Sequence, residues 1–213
     1  MNFETFMKSA SKIKNLNLPG EDSQFKMSPP FRESLIEENK AKMKQAKQAG
    51  VMALFYPNDI GETSLILILR KTYKGVHSAQ VGFPGGRFEK DDPDMEYTAL
   101  RETFEEVGVP IKDVDVLKPM TKLYIPPSNF TVSPFFGITK ATPKFIKQDA
   151  EVEDLIEVTL SHFLDDTNEV EVGVMTSMEV ELEVPAFSLN GHIVWGATAM
   201  MLSELKDLLK LVL

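Results

Sequence analysis

The sequence predicts an α+β sandwich, and three observations carry that prediction. Candidate strands and helices do not alternate regularly, which disfavours a wound βαβ sheet. The run Leu65-Ile66-Leu67-Ile68-Leu69 is apolar at every position, as a central strand buried on both faces requires. The segment Glu96 to Val107 has helical periodicity, with an apolar side and a strongly acidic one.

The elements follow in order. Residues 2–18 form an amphipathic helix through Phe3, Phe6, Met7, Ala10 and Ile13, stopped by Pro19-Gly20. After a second break at Ser28-Pro29-Pro30, Glu33 to Gln48 is rich in good helix formers and reads as an exposed helix closed by Gly50. Its apolar stripe is thin, so it is expected on the surface or against a partner. Residues 1–50 therefore read as a helical extension ahead of one domain over 51–213.

Val51 to Tyr56 and Ser64 to Arg70 read as strands, separated by the turn residues Pro57-Asn58-Asp59 and Gly61. Gln80 to Phe83 leads into a glycine loop, and Gly108 stops the acidic helix. Further strands are expected at Asp115–Tyr124, Val132–Ile138 and Leu155–Thr159, then a short helix over Leu160–Leu164. Glu169–Val172 and Glu179–Val184 form a hairpin, and Ile193–Trp195 is the last strand. Ala197 to Leu211 closes the chain as a helix with Met201, Leu205, Leu208 and Val212 on one face.

Composition narrows the chemistry. The chain has no cysteine, which excludes disulfides, thiolate nucleophiles and cysteine-bound zinc. Its three histidines lie far apart, so any metal must be held mainly by oxygen. A net charge of −9 argues against nonspecific nucleic-acid binding. No apolar run reaches the roughly 18 residues of a membrane helix, and the first residues lack a signal peptide's apolar centre. A cytoplasmic location is the expectation. The apolar terminal helix and the N-terminal segments permit a homodimer without requiring one.

The acidic helix carries the sharpest signal. Glu102, Glu105 and Glu106 fall within roughly 100° of helical arc, while Tyr97, Leu100, Phe104 and Val107 are expected on the opposite, buried side. Like charges at i,i+4 cost about 0.2–0.5 kcal/mol unless compensated. A hard divalent cation compensates them well; a solvated acidic face is the plain alternative.

Upstream lies the pair Gly85-Gly86, and the helix reads Arg101-Glu102-Thr103-Phe104-Glu105-Glu106-Val107-Gly108-Val109. This resembles the Nudix hydrolase box, with Thr103 in its first apolar slot. In the usual register Pro93 stands where the box has Glu and Arg87 where it has Gly; a one-residue insertion restores Gly86. One branch, the coenzyme A pyrophosphatases, carries such an insertion. Its second signature resembles Arg70, His77, Gln80, Val81 and Phe83-Pro84-Gly85-Gly86, with departures at Lys71, Gly75 and Ala79. The stretches Leu123 to Gly137 and Trp195 to Leu202 extend the likeness over most of the chain.

The resemblance implies an α/β/α sandwich with a mixed sheet between helices, and hydrolysis of a diphosphate bond with Mg²⁺ or Mn²⁺. It implies that the Gly86 carbonyl, Glu102, Glu105 and Glu106 hold the metal, and that Arg101 orients a glutamate. Glu102 or Glu105 serves, in the alternative, as the base for water instead of as a ligand. Glu151 aligns with an extra carboxylate; Glu89 and Asp91 have a structural turn role. Arg70, His77, Gln80, Phe83 and Arg87 fall on the substrate side, and Arg70, Lys71, Lys74 and Arg87 supply a local basic cluster for a polyanionic substrate. The substrate implied is a small CoA-like nucleoside diphosphate. ADP-ribose, NADH and dinucleoside polyphosphates are the alternatives, and a non-catalytic nucleotide sensor is a third reading.

Overall fold

The computed structural model describes residues 1–71, 80–175 and 181–213. Three helices come first: α1 (Phe3–Ile13), α2 (Glu21–Phe25) and α3 (Arg32–Met43). Strands β1 (Lys47–Pro57), β2 (Thr63–Arg70), β3 (Val81–Gly82) and β4 (Gly85–Arg87) precede the acidic helix α4 (Met95–Val107). Then come β5 (Asp115–Pro119), β6 (Leu123–Ile125), β7 (Phe130–Ile138), β8 (Val152–Thr159) and α5 (Leu160–Leu164). The chain closes with β9 (Glu169–Met175), β10 (Glu181–Leu189), β11 (His192–Trp195) and α6 (Gly196–Lys210).

Strands β1 to β8 form one mixed sheet, in which β1 and β7 run parallel from Lys47–Phe130 to Phe55–Ile138. The last three strands form a separate antiparallel sheet. Strand alternation sorts β1 and β2 onto two apolar layers. Met52, Leu54, Tyr56, Ile66 and Ile68 pack toward α4 with Ala99 and Val107. Ala53, Phe55, Leu65 and Leu67 pack on the other side with residues of α1 and α6. The architecture is therefore the expected helix–sheet–helix sandwich, and β2 is buried and central as its composition requires.

Helix α1 is part of this core. Phe6 is fully buried, with its ring centroid 5.2 Å from that of Phe55, which in turn lies 4.9 Å from Phe136. Such aromatic pairs add roughly 0.5–1.5 kcal/mol beyond their burial.

Helix α1 ends at Ile13, short of the expected residue 18, α2 is unexpected, and two further elements differ. Helix α3 stops at Met43, because Lys47 to Ala49 pair with Phe130 to Val132 of β7 and extend β1 backwards. Composition alone reads that stretch as helical; the open edge of β7 recruits it into the sheet. The expected strand Asp115–Tyr124 is two strands, interrupted where the Met120 amide turns to the Pro134 carbonyl.

The face of α4 is the larger correction. Tyr97 and Phe104 are exposed, at 37% and 50%, whereas Thr98, Ala99, Thr103, Glu106 and Val107 are buried. The reason lies on β1. A Cβ on Gly50 would stand 2.5 Å from the Met95 carbonyl and 2.9 Å from the Ala99 amide. Helix and strand touch backbone to backbone, and only small side chains fit between them. Thr103 fits the apolar slot by returning its hydroxyl to the Ala99 carbonyl at 2.6 Å.

Candidate active site

Strands β1 and β2 pair only between Phe55–Pro57 and Thr63–Leu65. Farther along they diverge, and β4 takes the place beside β1 while β3 takes the place beside β2. The glycine loop is thus wedged into an opening of the main sheet, directly under α4. Gly85 has φ +150°, and a Cβ there would meet the Gly50 carbonyl and the Val51 Cα, each at 2.5 Å. Only glycine fits that approach.

Three elements then meet around Glu106, which is 2% exposed. The Gly85 amide donates to Glu106 Oε2 at 2.7 Å, Arg70 Nη2 donates to the Gly85 carbonyl at 2.6 Å, and Arg70 Nη1 lies 3.4 Å from Glu106 Oε1. Burial pushes the Glu106 carboxyl up to about 7, against the pull of Arg70 and the Gly85 amide. The charges of Glu102 and Glu151 push it the same way as burial, so both act on Glu106's surroundings.

Glu102 lies against Gly86: a Cβ built there would touch its carboxylate carbon at 2.5 Å. Burial raises its pKa, Arg101 opposes this, and Glu105 and Glu151 add to the rise. Arg101 Nη1 holds Glu102 Oε1 at 2.9 Å and Glu105 Oε2 at 3.1 Å; the Glu105 side chain is half exposed. Glu151 is exposed on the turn before β8, and its carbonyl accepts from the Lys71 amide at 2.9 Å.

Sequence reading missed Asp92. Arg101 Nε lies 2.9 Å from its Oδ1 and Nη2 lies 3.0 Å from its Oδ2. Asp92 also accepts from Thr98 Oγ1 at 2.9 Å and from the Glu89 amide at 3.0 Å. The Arg101 hydrogen bond holds its carboxyl well down, at about 2. The Arg101 guanidinium also reaches the Arg87 carbonyl at 3.1 Å, tying the glycine loop to α4. The visible signal is the acidic run Asp91-Asp92-Pro93-Asp94: Asp94 caps the helix through the Tyr97 amide at 2.8 Å, leaving Asp92 inside the turn.

Arg70, Gln80, Phe83, Gly86 and Arg87 border one cleft of about 880 Å³. Its other walls come from α3, the turn between β6 and β7, and the start of α6. His77 lies outside the described residues, as do Lys74, Gly75 and Ala79.

The donors fit a hard divalent cation in kind. They are all oxygen, and Glu102, Glu106 and Glu151 repel one another within a partly desolvated region. Among the described residues no three carboxylate or imidazole groups form a ready-made cage. Arginines compensate the carboxylates instead: Arg101 holds Glu102 and Glu105, and Arg70 holds Glu106.

A glycine loop clamped under a carboxylate helix, opening on a large cleft, defines the class. A family model described as the NUDIX domain matches residues 46–178, and the chain belongs to the Nudix family. Over 143 residues it is 29% identical to the human protein named mitochondrial coenzyme A diphosphatase NUDT8, covering 66% of this chain and 61% of that one. It is 34% identical over 144 residues to the Arabidopsis thaliana protein named Nudix hydrolase 15, mitochondrial, covering 65% and 49%. An uncharacterized Nudix hydrolase, NudL, of Yersinia pestis is 32% identical over 149 residues, covering 68% and 71%. The chain therefore spans only 61% and 49% of the first two relatives. A MutT/nudix family protein from Enterococcus faecalis superposes with a TM-score of 0.49 at 15% identity, covering 85% of this chain and 73% of that one. Among the described residues no helix is long and apolar enough to cross a membrane.

Proposed function

We propose that this chain hydrolyses the diphosphate bond of coenzyme A or its thioesters, releasing 3′,5′-ADP and 4′-phosphopantetheine or its acyl form. The observation that carries the reading is the buried Glu106 carboxylate locked to the Gly85 amide and to Arg70 beside the 880 Å³ cleft. A cleft of that volume is at the upper end for small-molecule sites, which run about 300–1,000 Å³. The coenzyme A diphosphatase name of one relative supports the substrate.

In this reading the Gly86 carbonyl, Glu102, Glu105 and Glu106 hold Mg²⁺ or Mn²⁺, with Glu151 as an additional carboxylate. Nudix hydrolases generally use divalent metal ions. When bound, such an ion would supply charge neutralisation at the phosphoryl oxygens and a more acidic water. Arg101 fixes Glu102 and Glu105, one of which would serve as general base toward water instead of holding the ion. Arg70 and Arg87 draw the diphosphate into an otherwise negative molecule, with Gln80 and Phe83 on the same side; for His77 a substrate contact is proposed from the sequence alone. A cytoplasmic site of action belongs to the proposal, and cell fractionation tests it.

The departures at Lys71, Gly75 and Ala79 from the coenzyme A signature favour a second reading, a Nudix hydrolase of ADP-ribose, NADH or dinucleoside polyphosphates. A substrate panel with product identification, run in Mg²⁺ and in Mn²⁺, separates the two. Release of 3′,5′-ADP from coenzyme A ahead of all other cleavages supports the first reading. Preference for ADP-ribose supports the second, and no turnover of any substrate leaves a nucleotide-sensing module.

A further inference from the structure

Helix α3 presents Arg32, Leu35, Asn39 and Lys42 to the cleft, a three- and four-residue spacing that places them on one face. All four lie outside residues 46–178, so this wall is an addition to the family portion of the chain. Arg32 is unusual among them. It is only 8% exposed, yet among the described residues its only side-chain hydrogen bond runs from Nη2 to the Tyr124 carbonyl at 2.7 Å. Its Nε is buried without a partner. Among the described residues no carboxylate forms an ion pair with it; Glu21 acts only at longer range, too weakly to offset desolvation.

Buried charges are normally paired, because an unpaired one forfeits its hydration. An arginine whose Nη2 is held by one carbonyl and whose Nε is buried and unpaired has hydrogen-bonding capacity left for an anion. Ser128 Oγ, on the turn after β6, is a second buried and unpartnered polar atom on the same cleft. Arg70 and Arg87, beside the glycine loop, border this cleft as well.

We propose that Arg32, with Ser128, binds a phosphate monoester on the ribose of the substrate, separate from the diphosphate bordered by Arg70 and Arg87. A monoester fits because it brings nearly two negative charges and three acceptor oxygens to one point. The inference rests on the coenzyme A reading, in which the 3′-phosphate is the one monoester present. Arg32 is then a specificity-determining residue that leaves the bond-breaking step untouched.

Calorimetric binding of adenosine 3′,5′-bisphosphate and of 5′-AMP to the full chain tests this without relying on turnover. The wild type is expected to bind the bisphosphate about tenfold more tightly or better. Arg32→Gln is expected to bind both nucleotides equally, with its affinity for 5′-AMP unchanged. Arg32→Lys, which keeps the charge but loses the fork, is expected to reduce the preference severalfold, and decides the matter should Arg32→Gln not fold. Equal affinities in the wild type, or an unaltered preference in a folded variant, overturn the proposal. Hydrolysis of coenzyme A and of its 3′-dephospho form separates the two readings. Bisphosphate preference without turnover defeats only the hydrolase; turnover without preference defeats only the Arg32 assignment.

Discussion

Arg101 and Asp92 form a two-pronged ion pair, Nε to Oδ1 at 2.9 Å and Nη2 to Oδ2 at 3.0 Å, that joins the end of the glycine loop to the middle of α4. Through its remaining nitrogen Arg101 holds Glu102 and Glu105. The pair therefore sets where two of the three box carboxylates stand, although Asp92 itself belongs to a turn.

Asp92→Ala is expected to destabilise the fold by about 3 kcal/mol, the low end for breaking a buried pair, because the Arg101 side chain keeps some solvent contact. Its kcat is expected to fall further than its KM rises, since Glu102 and Glu105 lose their support. Urea denaturation alongside steady-state kinetics provides both numbers. A loss below about 1 kcal/mol would mean that the pair is no more than a surface contact.

Glu106→Gln keeps the shape and the acceptor for the Gly85 amide but removes the charge. Turnover is expected to drop about 10²–10³-fold, comparable with deleting a key electrostatic group. At pH 8 stability is expected to hold or rise, because the amide has no charge to desolvate. Near-normal kcat in this variant contradicts the assignment of Glu106 as a metal donor.

The same residue sets a pH dependence. In the metal-free fold Glu106 titrates at about 7, above the ordinary 4.5, so the folded state retains a proton that the unfolded chain has lost. Its contribution to stability is fully present below the unfolded value and is lost as pH rises through the folded one. With chelator present, Tm is expected to fall between about pH 5 and pH 8. Saturating Mg²⁺ or Mn²⁺ is expected to flatten that slope, since a bound cation favours the ionised form. A chelated protein whose Tm rises over this range would refute the sign.

Gly85→Ala and Gly86→Ala should part company. At Gly85 the obstruction is the backbone of β1 and φ is +150°, so a loss of about 3 kcal/mol or more is expected. At Gly86 the obstruction is the end of the Glu102 side chain, which can swing aside. Gly86→Ala is expected to melt within a few degrees of the wild type while losing most activity. Equal damage to Tm in both variants rules out the distinction.

Local patterns carried much of this molecule into view before any coordinates. The apolar run of β2, the stop of α4 at Gly108, and the short helix α5 rest on neighbouring residues, whose geometry periodicity encodes. The glycine pair and its carboxylates are legible for the same reason. Three facts are not readable that way. Periodicity places Glu106 relative to Tyr97 and Phe104 around α4, but the side that is buried depends on Gly50 of β1, which admits only small groups. The partner of Arg101 is found in a turn nine residues upstream, where several acids compete and the fold of the loop selects Asp92. Arg32 is held at the cleft by the Tyr124 carbonyl of β6, 92 residues away in sequence. Contacts between distant segments arise only when the sheet has assembled, and they decide which charges are buried and which remain in water.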